Sequence, residues 1–179
     1  MVEKLSRIPN ILVIGISSII GFAIFIIINI FVFRNLPVSE YGILHYEFAW
    51  TIERVQDIFL VWGQPGMDAQ AAGVWWDFPY ILGYSLFIGG LILLVTRMNT
   101  GRIHNIGLYM TLSPFIAGFL DVVENIFLLI MLKNPSSIKD SFPMIATIAA
   151  GTKFGLLIGG ILFFIFALIT GIMNKIKKK

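Results

Sequence analysis

Four stretches of the chain are apolar and long enough to cross the hydrocarbon core of a bilayer. They cover residues 8–33, 78–95, 106–132 and 142–173. At a rise of about 1.5 Å per residue, a helix of each length approaches or exceeds the roughly 30 Å of hydrocarbon. Charged residues and turn formers separate the four stretches. The pattern predicts an all-α fold, an integral membrane four-helix bundle that forms a single domain over residues 1–179.

The first stretch has the length of a transmembrane helix. Residues 8–33 form a run of 26 without a charge, and no small-residue cleavage site follows it. The apolar part of a signal peptide is shorter, about 7–15 residues. We therefore expect a retained helix that also acts as a signal anchor.

The connection between the first two spans is too long for a bare loop. Apolar residues recur in it at helical spacing, namely Leu44, Phe48, Ile52, Val55, Phe59 and Trp62. We predict an extramembrane segment over residues 39–76, with a helix capped by Ser39 and stopped at residues 63–66, and a second short helix over residues 67–76. Asp77 would then cap the second span.

Two interpretations of residues 39–76 are open. In the first, they form an amphipathic helical hairpin that lies over the outer mouth of the bundle. In the second, they form a lid that inserts Glu47, Thr51 and Arg54 into a cavity below it, because these residues share one helix face.

Composition supports the membrane class and excludes several kinds of site. Hydrophobic residues make up 58% of the chain and charged residues 13%, whereas soluble domains are about 25% charged. The absence of cysteine excludes disulfides and thiolate sites. The net charge of +3 comes largely from the lysine tail, which indicates orientation in a membrane and not a nucleic-acid partner.

Lysine and arginine predict the orientation. The side that carries both termini and the second connection has eight of them, Lys4, Arg7, Arg97, Arg102, Lys175, Lys177, Lys178 and Lys179. The other side has four, Arg34, Arg54, Lys133 and Lys139. The positive-inside rule therefore predicts a cell-membrane protein with both termini in the cytoplasm.

The third stretch contains a serine followed by a proline, Ser113-Pro114. Sharp kinks in helices usually occur at proline, because its ring cannot continue the preceding turn. We expect a kink at this position and not a nucleophilic serine.

A polar centre interrupts the third span. Asp121, Glu124 and Asn125 stand at i, i+3 and i+4, so they project from one helix face. Acids inside a bilayer cost a few kcal/mol each and should face the protein interior. Lys153 in the fourth span lies at a matching depth and is the expected partner. Two carboxylates facing one ammonium leave an acid in surplus.

Several roles for this centre are open. An Asp121–Lys153 pair could serve only to fix the register of the helices. A surplus acid inside a membrane instead favours a functional site, to which Asp77 would contribute. Hard oxygen ligands from Asp77, Asp121 and Glu124 could hold a divalent metal, but the pattern is common by chance. We predict no metal and no cofactor.

A series of short motifs resembles a known family. They are Phe48-Ala49-x-Thr51, Glu53-Arg54, Trp62-Gly63, Asp77-Phe78, Asp121-x-x-Glu124-Asn125 and Lys153-Phe154. Together they resemble a family of small prokaryotic four-span membrane proteins with no established activity, which implies the four-span architecture. The arrangement is also similar to that of the EXPERA-type proteins, which include sterol isomerases and the sigma-2 receptor, although Lys153 departs from their pattern.

These observations lead to one functional prediction with two rivals. We expect an outer-facing cavity, which binds a small amphipathic or lipid-like ligand and is lined by Asp77, Asp121, Glu124, Asn125 and Lys153. The rivals are a non-enzymatic accessory or assembly subunit, and a membrane-embedded lipid or isoprenoid enzyme with Asp121 or Glu124 as acid and base. A proton- or cation-coupled transporter is disfavoured by the size of the chain unless it oligomerises. The expected partners are membrane lipids and either a membrane protein or a second copy of the chain.

Overall fold

The chain is built from α-helices. The computed structural model describes residues 2–37 and 39–176, and no β-strand occurs within them. The helices are α1 (Ile11–Phe31), α2 (Ile43–Glu47), α3 (Ile52–Met98), α4 (Gly101–Met110), α5 (Ser113–Lys133) and α6 (Ser141–Ile176), with short 3-10 turns at Val2–Ser6 and Phe33–Asn35. The predicted all-α class is confirmed. Lys177, Lys178 and Lys179, which entered the prediction of orientation, lie outside the described residues.

Four helical segments are long and apolar enough to cross a membrane. They are Ile11–Asn35, Ile52–Met98, Gly101–Lys133 and Ser141–Ile176. Their number and order match the four predicted spans, although the second begins much earlier than predicted. The four segments fit a polytopic membrane protein.

The helices between the first two spans do not begin and end at the predicted residues. α2 ends at Glu47, and residues 48–51 are not helical before α3 begins at Ile52. Ser39 caps no helix, since its hydroxyl donates to the Tyr41 carbonyl and Gly42 occupies the N-cap of α2. The segment between the first two spans is therefore not one continuous amphipathic helix followed by a turn.

The predicted helix end at residues 63–66 is only a local break at one residue. α3 is interrupted at Gly63, where φ is +59°, and then continues to Met98. Pro65 is tolerated because it falls in the first turn after the break, where its missing N–H has no helical partner. There is no separate helix over residues 67–76, and Asp77 lies inside a helix and does not cap one.

The chain divides into two compact units. Unit 2 comprises Ile26–Ile81 and Phe119–Lys153. Its core is formed by apolar side chains from the α2 and α3 region, α5 and the start of α6, among them Tyr46, Phe59, Trp62, Leu128 and Met131. The Tyr46 hydroxyl donates a 2.8 Å hydrogen bond to the Leu128 carbonyl. The candidate site lies entirely within unit 2.

Unit 1 comprises Met1–Phe25, Leu82–Gly118 and Phe154–Lys179. Backbones approach closely within it, since a Cβ added at Gly21 would stand 2.6 Å from the Gly83 carbonyl oxygen. Small residues permit such contacts between helices in membranes. Asn99 donates at 2.8 Å to the carbonyls of Val95 and Ala167, which ties the end of α3 to α6.

The third span is broken where the sequence places a serine before a proline. α4 ends at Met110 and α5 begins at Ser113, followed by Pro114. The predicted kink at Ser113-Pro114 is confirmed. The break precedes the proline, as expected for a ring that cannot continue the preceding helix.

Candidate functional site

α5 presents three polar side chains on one face because of their spacing. Asp121, Glu124 and Asn125 follow each other at i, i+3 and i+4, and each is buried, with exposed fractions of 3%, 0% and 2%. Groups buried to this extent need partners, since an unpaired charge in such surroundings is costly. The partners come from α2, α3 and α6.

Lys153 on α6 is the centre of the cluster. Its Nζ lies 2.7 Å from Asp121 Oδ1 and 2.7 Å from Glu124 Oε2. The lysine is itself only 5% exposed. Both distances are those of charge-assisted hydrogen bonds or close ion pairs. One ammonium thus faces two carboxylates of the same helix.

A third carboxylate reaches the same lysine. Glu47 Oε2 lies 3.8 Å from Lys153 Nζ, and Glu47 is 8% exposed. Thr147 on α6 holds the Glu47 backbone, because its hydroxyl donates a 2.8 Å hydrogen bond to the Glu47 carbonyl. Glu47 lies on α2, outside the four candidate spans. Burial raises the pKa of its carboxyl above the ordinary value, and the nearby Lys153 only partly offsets this.

Asp77 and Asn125 extend the cluster towards the surface. The Asn125 side-chain amide donates a 2.7 Å hydrogen bond to Asp77 Oδ2. Asp77 is half-buried, unlike the carboxylates around Lys153. Asp77 is therefore the most accessible carboxylate of the cluster.

The structure brings together the five residues expected to form the polar centre, with Glu47 added. The other two residues of the predicted lid lie elsewhere. The Arg54 guanidinium lies 4.4 Å from the centre of the Tyr41 ring and donates to its hydroxyl. Thr51 is exposed and accepts a 3.3 Å hydrogen bond from the Arg54 backbone N–H.

Charge in the cluster does not balance if every group is ionised. Glu47, Asp121 and Glu124 surround one ammonium, and Asp77 is close by with a neutral amide as its partner. Within the described residues, Glu47 Oε2 and Glu124 Oε1 have no hydrogen-bond partner. The cluster therefore has an excess of acceptors and of negative charge.

The sequence pattern did not identify one buried polar residue on the same helix as Asp77. Gln70 is 5% exposed, and its Oε1 has no hydrogen-bond partner among the residues that the structure describes. It precedes Asp77 by seven positions, so the two share a helix face. That spacing was the signal that could have identified it.

Two further observations concern metal-binding groups and surface depressions. Across residues 2–37 and 39–176, no three His, Cys, Asp or Glu side chains are placed to hold a metal ion. An open depression of about 360 Å³ in unit 2 is lined by Gln56, Phe59, Leu60, Met67 and Pro135, none of which belongs to the cluster.

Comparisons of the chain with protein-family models, with curated proteins and with solved structures find no match. The function is therefore inferred from the geometry of this cluster.

Proposed function

We propose that the protein binds a small amphipathic or lipid-like ligand at the buried cluster. The observation that carries this proposal is the surplus of carboxylates, in which three acidic side chains surround the single ammonium of Lys153. Acceptors without donors in a buried site favour a ligand that supplies hydrogen-bond donors or positive charge.

Asp77 is the proposed point of entry. It is half-buried and bonded to Asn125, whereas Glu124 beside Asn125 is fully buried. A headgroup that first meets Asp77 can exchange the Asn125 hydrogen bond for its own donor. Its alkyl chain would remain on the apolar helix surface, where many large side chains are exposed.

We further propose the membrane arrangement that the lysine and arginine count predicts. The four spans form a bundle with both termini in the cytoplasm, and the segment between the first two spans lies over the outer side. Membership of the family of small four-span proteins is part of this proposal, and membrane lipids supply the ligand.

A structural role is the second candidate, and one observation favours it. Glu124 has an exposed fraction of 0%, as expected for a charge cluster that only fixes helix register in an accessory or assembly subunit. A proton-transfer enzyme that uses Asp121 or Glu124 would first need the same ligand-bound state, so the binding experiment precedes any assay of chemistry.

The test uses alkyl amphiphiles of one chain length with three different headgroups. The protein, reconstituted in lipid nanodiscs, is titrated with dodecylamine, dodecanol and dodecanoate, and thermal stability is followed. We expect the amine to stabilise most, the alcohol less and the carboxylate not at all. Asp77→Asn should remove the preference for the amine, whereas Asp57→Asn, at an exposed position of the same helix, should keep it.

Three results would contradict the proposal. Equal stabilisation by all three headgroups would show that only the alkyl chain binds. A preference for the amine that survives in Asp77→Asn would place binding elsewhere. No stabilisation by any of them would favour the structural role.

A further inference from the structure

Glu47 belongs to a short segment that is hydrogen-bonded to α5 and α6. We call residues 43–51 the Glu47 segment. Thr147 on α6 holds it twice, since the Thr147 hydroxyl donates to the Glu47 carbonyl at 2.8 Å and accepts from the Trp50 N–H at 3.2 Å. The Tyr46 hydroxyl adds the hydrogen bond to Leu128 on α5. These contacts bury a carboxyl group that lies outside the candidate spans.

The charged groups that face Glu47 are mainly negative. α6 contributes Lys153, α5 contributes Asp121 and Glu124, and α3 contributes Asp77 at longer range. Lys153 Nζ is 3.8 Å from Glu47 but 2.7 Å from each of the two α5 carboxylates. Of the three carboxylates around Lys153, Glu47 is therefore the one that this ammonium compensates least.

Glu47 and Glu124 lie against the same ammonium, that of Lys153, so their carboxyl groups are close to each other. Both residues are more than nine-tenths buried. Glu47 Oε2 and Glu124 Oε1 have no hydrogen-bond partner in the described part of the chain. Two ionised carboxylates in this position repel each other, whereas one proton between them provides the missing donor and removes one charge.

We propose that Glu47 and Glu124 form a proton-binding site, and that loss of the shared proton to water releases the Glu47 segment and opens the cluster. This inference rests on the proposed function, because the opened cluster is the state in which a ligand enters. The raised pKa of Glu47, caused by its burial, agrees with a proton held in the closed state.

The backbone conformation of the Glu47 segment favours its release. Trp50 has a φ of +61°, a conformation that costs free energy for a bulky residue and persists only where the surrounding contacts hold it. The closed state binds the proton more tightly than the open state does. A rise in pH therefore favours opening, and a fall in pH favours closure.

Infrared spectroscopy of the ligand-free protein in nanodiscs tests the shared proton. We expect the carbonyl band of a protonated carboxylic acid, which shifts when glutamate side chains carry ¹³C and does not shift with labelled aspartate. Glu47→Gln and Glu124→Gln should each remove the band, and Glu53→Gln, at an exposed position, should keep it. A spectrum of the wild-type protein without this band, or with a band that belongs to aspartate, would overturn the proposal even if the variants fail to fold.

Cysteine accessibility tests the release. The chain has no cysteine, so Ala49→Cys, 5% exposed, and Leu44→Cys, 55% exposed on the same segment, provide a buried and an exposed thiol. The ratio of their modification rates cancels the intrinsic effect of pH on a thiol. We expect the buried-to-exposed ratio to rise about tenfold per pH unit over the range in which one proton is lost, and not to change with pH in the Glu47→Gln background.

If the ratio of the two modification rates does not change with pH in the wild-type background, the proposed release of the Glu47 segment is wrong. These experiments use no ligand, so their failure is distinct from that of the proposed function. A protein that shows the glutamate band and the pH-dependent ratio but binds no dodecylamine would contradict only the proposed function.

Discussion

Removal of the Lys153 ammonium should destabilise the protein more than any other single loss of charge. At 2.7 Å and an effective dielectric constant of about 20, each of the two close contacts contributes about 6 kcal/mol of Coulomb energy before desolvation is subtracted. Breaking a buried ion pair by removing one partner costs about 3–5 kcal/mol. We expect a loss in this range for Lys153→Met, because it leaves Asp121 and Glu124 buried without a cation.

The assay is reversible unfolding in mixed micelles, with Lys133→Met as the matched control. Lys133 is exposed at the end of α5, so its replacement should cost less than about 1 kcal/mol. The variant that combines Lys153→Met with Asp121→Asn and Glu124→Gln should recover most of the loss. Neutral groups of similar shape carry no uncompensated charge.

A small effect of Lys153→Met would refute this reasoning. A loss of less than about 1 kcal/mol, equal to that of the exposed control, would mean that the ammonium is not buried between the carboxylates. A triple variant that is less stable than Lys153→Met alone would also contradict it, because the charges would then not be the origin of the loss.

Three further predictions concern hydrogen bonding and packing, each measured as a change in unfolding free energy in the same micelles. Tyr46→Phe should cost about 1–2 kcal/mol, because the buried hydrogen bond from the Tyr46 hydroxyl to the Leu128 carbonyl is lost; no change would mean that water replaces the hydroxyl. Gly21→Ala should cost about 1–3 kcal/mol, since its Cβ would stand 2.6 Å from a backbone carbonyl oxygen, and Gly15→Ala, with no atom within 4 Å, should cost nothing; equal effects would contradict this. Asn99→Ala should cost about 1–3 kcal/mol because the hydrogen bonds from the Asn99 amide to the Val95 and Ala167 carbonyls are lost, and an unchanged stability would count against that network.

The polar centre on α5 could be predicted because charges are rare in the apolar stretches. Asp121, Glu124 and Asn125 share a helix face by their spacing alone, and Lys153 lies well inside the last stretch. A charge at such a position has few possible partners. Helical periodicity and the cost of an isolated charge therefore led to the contacts that Lys153 makes with both carboxylates.

The position of Glu47 beside Lys153 could not be predicted from the local sequence. It depends on a tight turn at Trp50, where φ is +61° and the Thr51 N–H donates to the Ala49 carbonyl, and no local pattern indicates such a conformation for tryptophan. The regular apolar spacing across residues 44–62 instead favoured one helix. Only tertiary contacts, in which Thr147 bonds to the Glu47 carbonyl and to the Trp50 N–H, select the observed path.

The length of α3 was missed for a different reason. Glycine and proline at positions 63–66 are strong signals for a turn, but one residue of positive φ at Gly63 suffices for the change of direction. Asp77 before Pro79 has the sequence pattern of a helix start. After the break at Gly63 the helix continues through Asp77 and Pro79, and Asp77 pairs with Asn125. Pro65 and Pro79 are compatible both with a helix and with a turn. Tertiary packing decides between the two, and the local sequence does not show this decision.

Solid-state NMR in lipid bilayers tests the contacts of Lys153 most directly. With ¹⁵N in lysine side chains and ¹³C in aspartate and glutamate carboxyl groups, the dipolar coupling of Lys153 Nζ reports its distance to each carboxyl. We predict strong couplings to both Asp121 and Glu124, consistent with N–O distances of 2.7 Å. Coupling to only one of them, or coupling of the ammonium to lipid phosphate instead, would contradict a lysine held between two carboxylates.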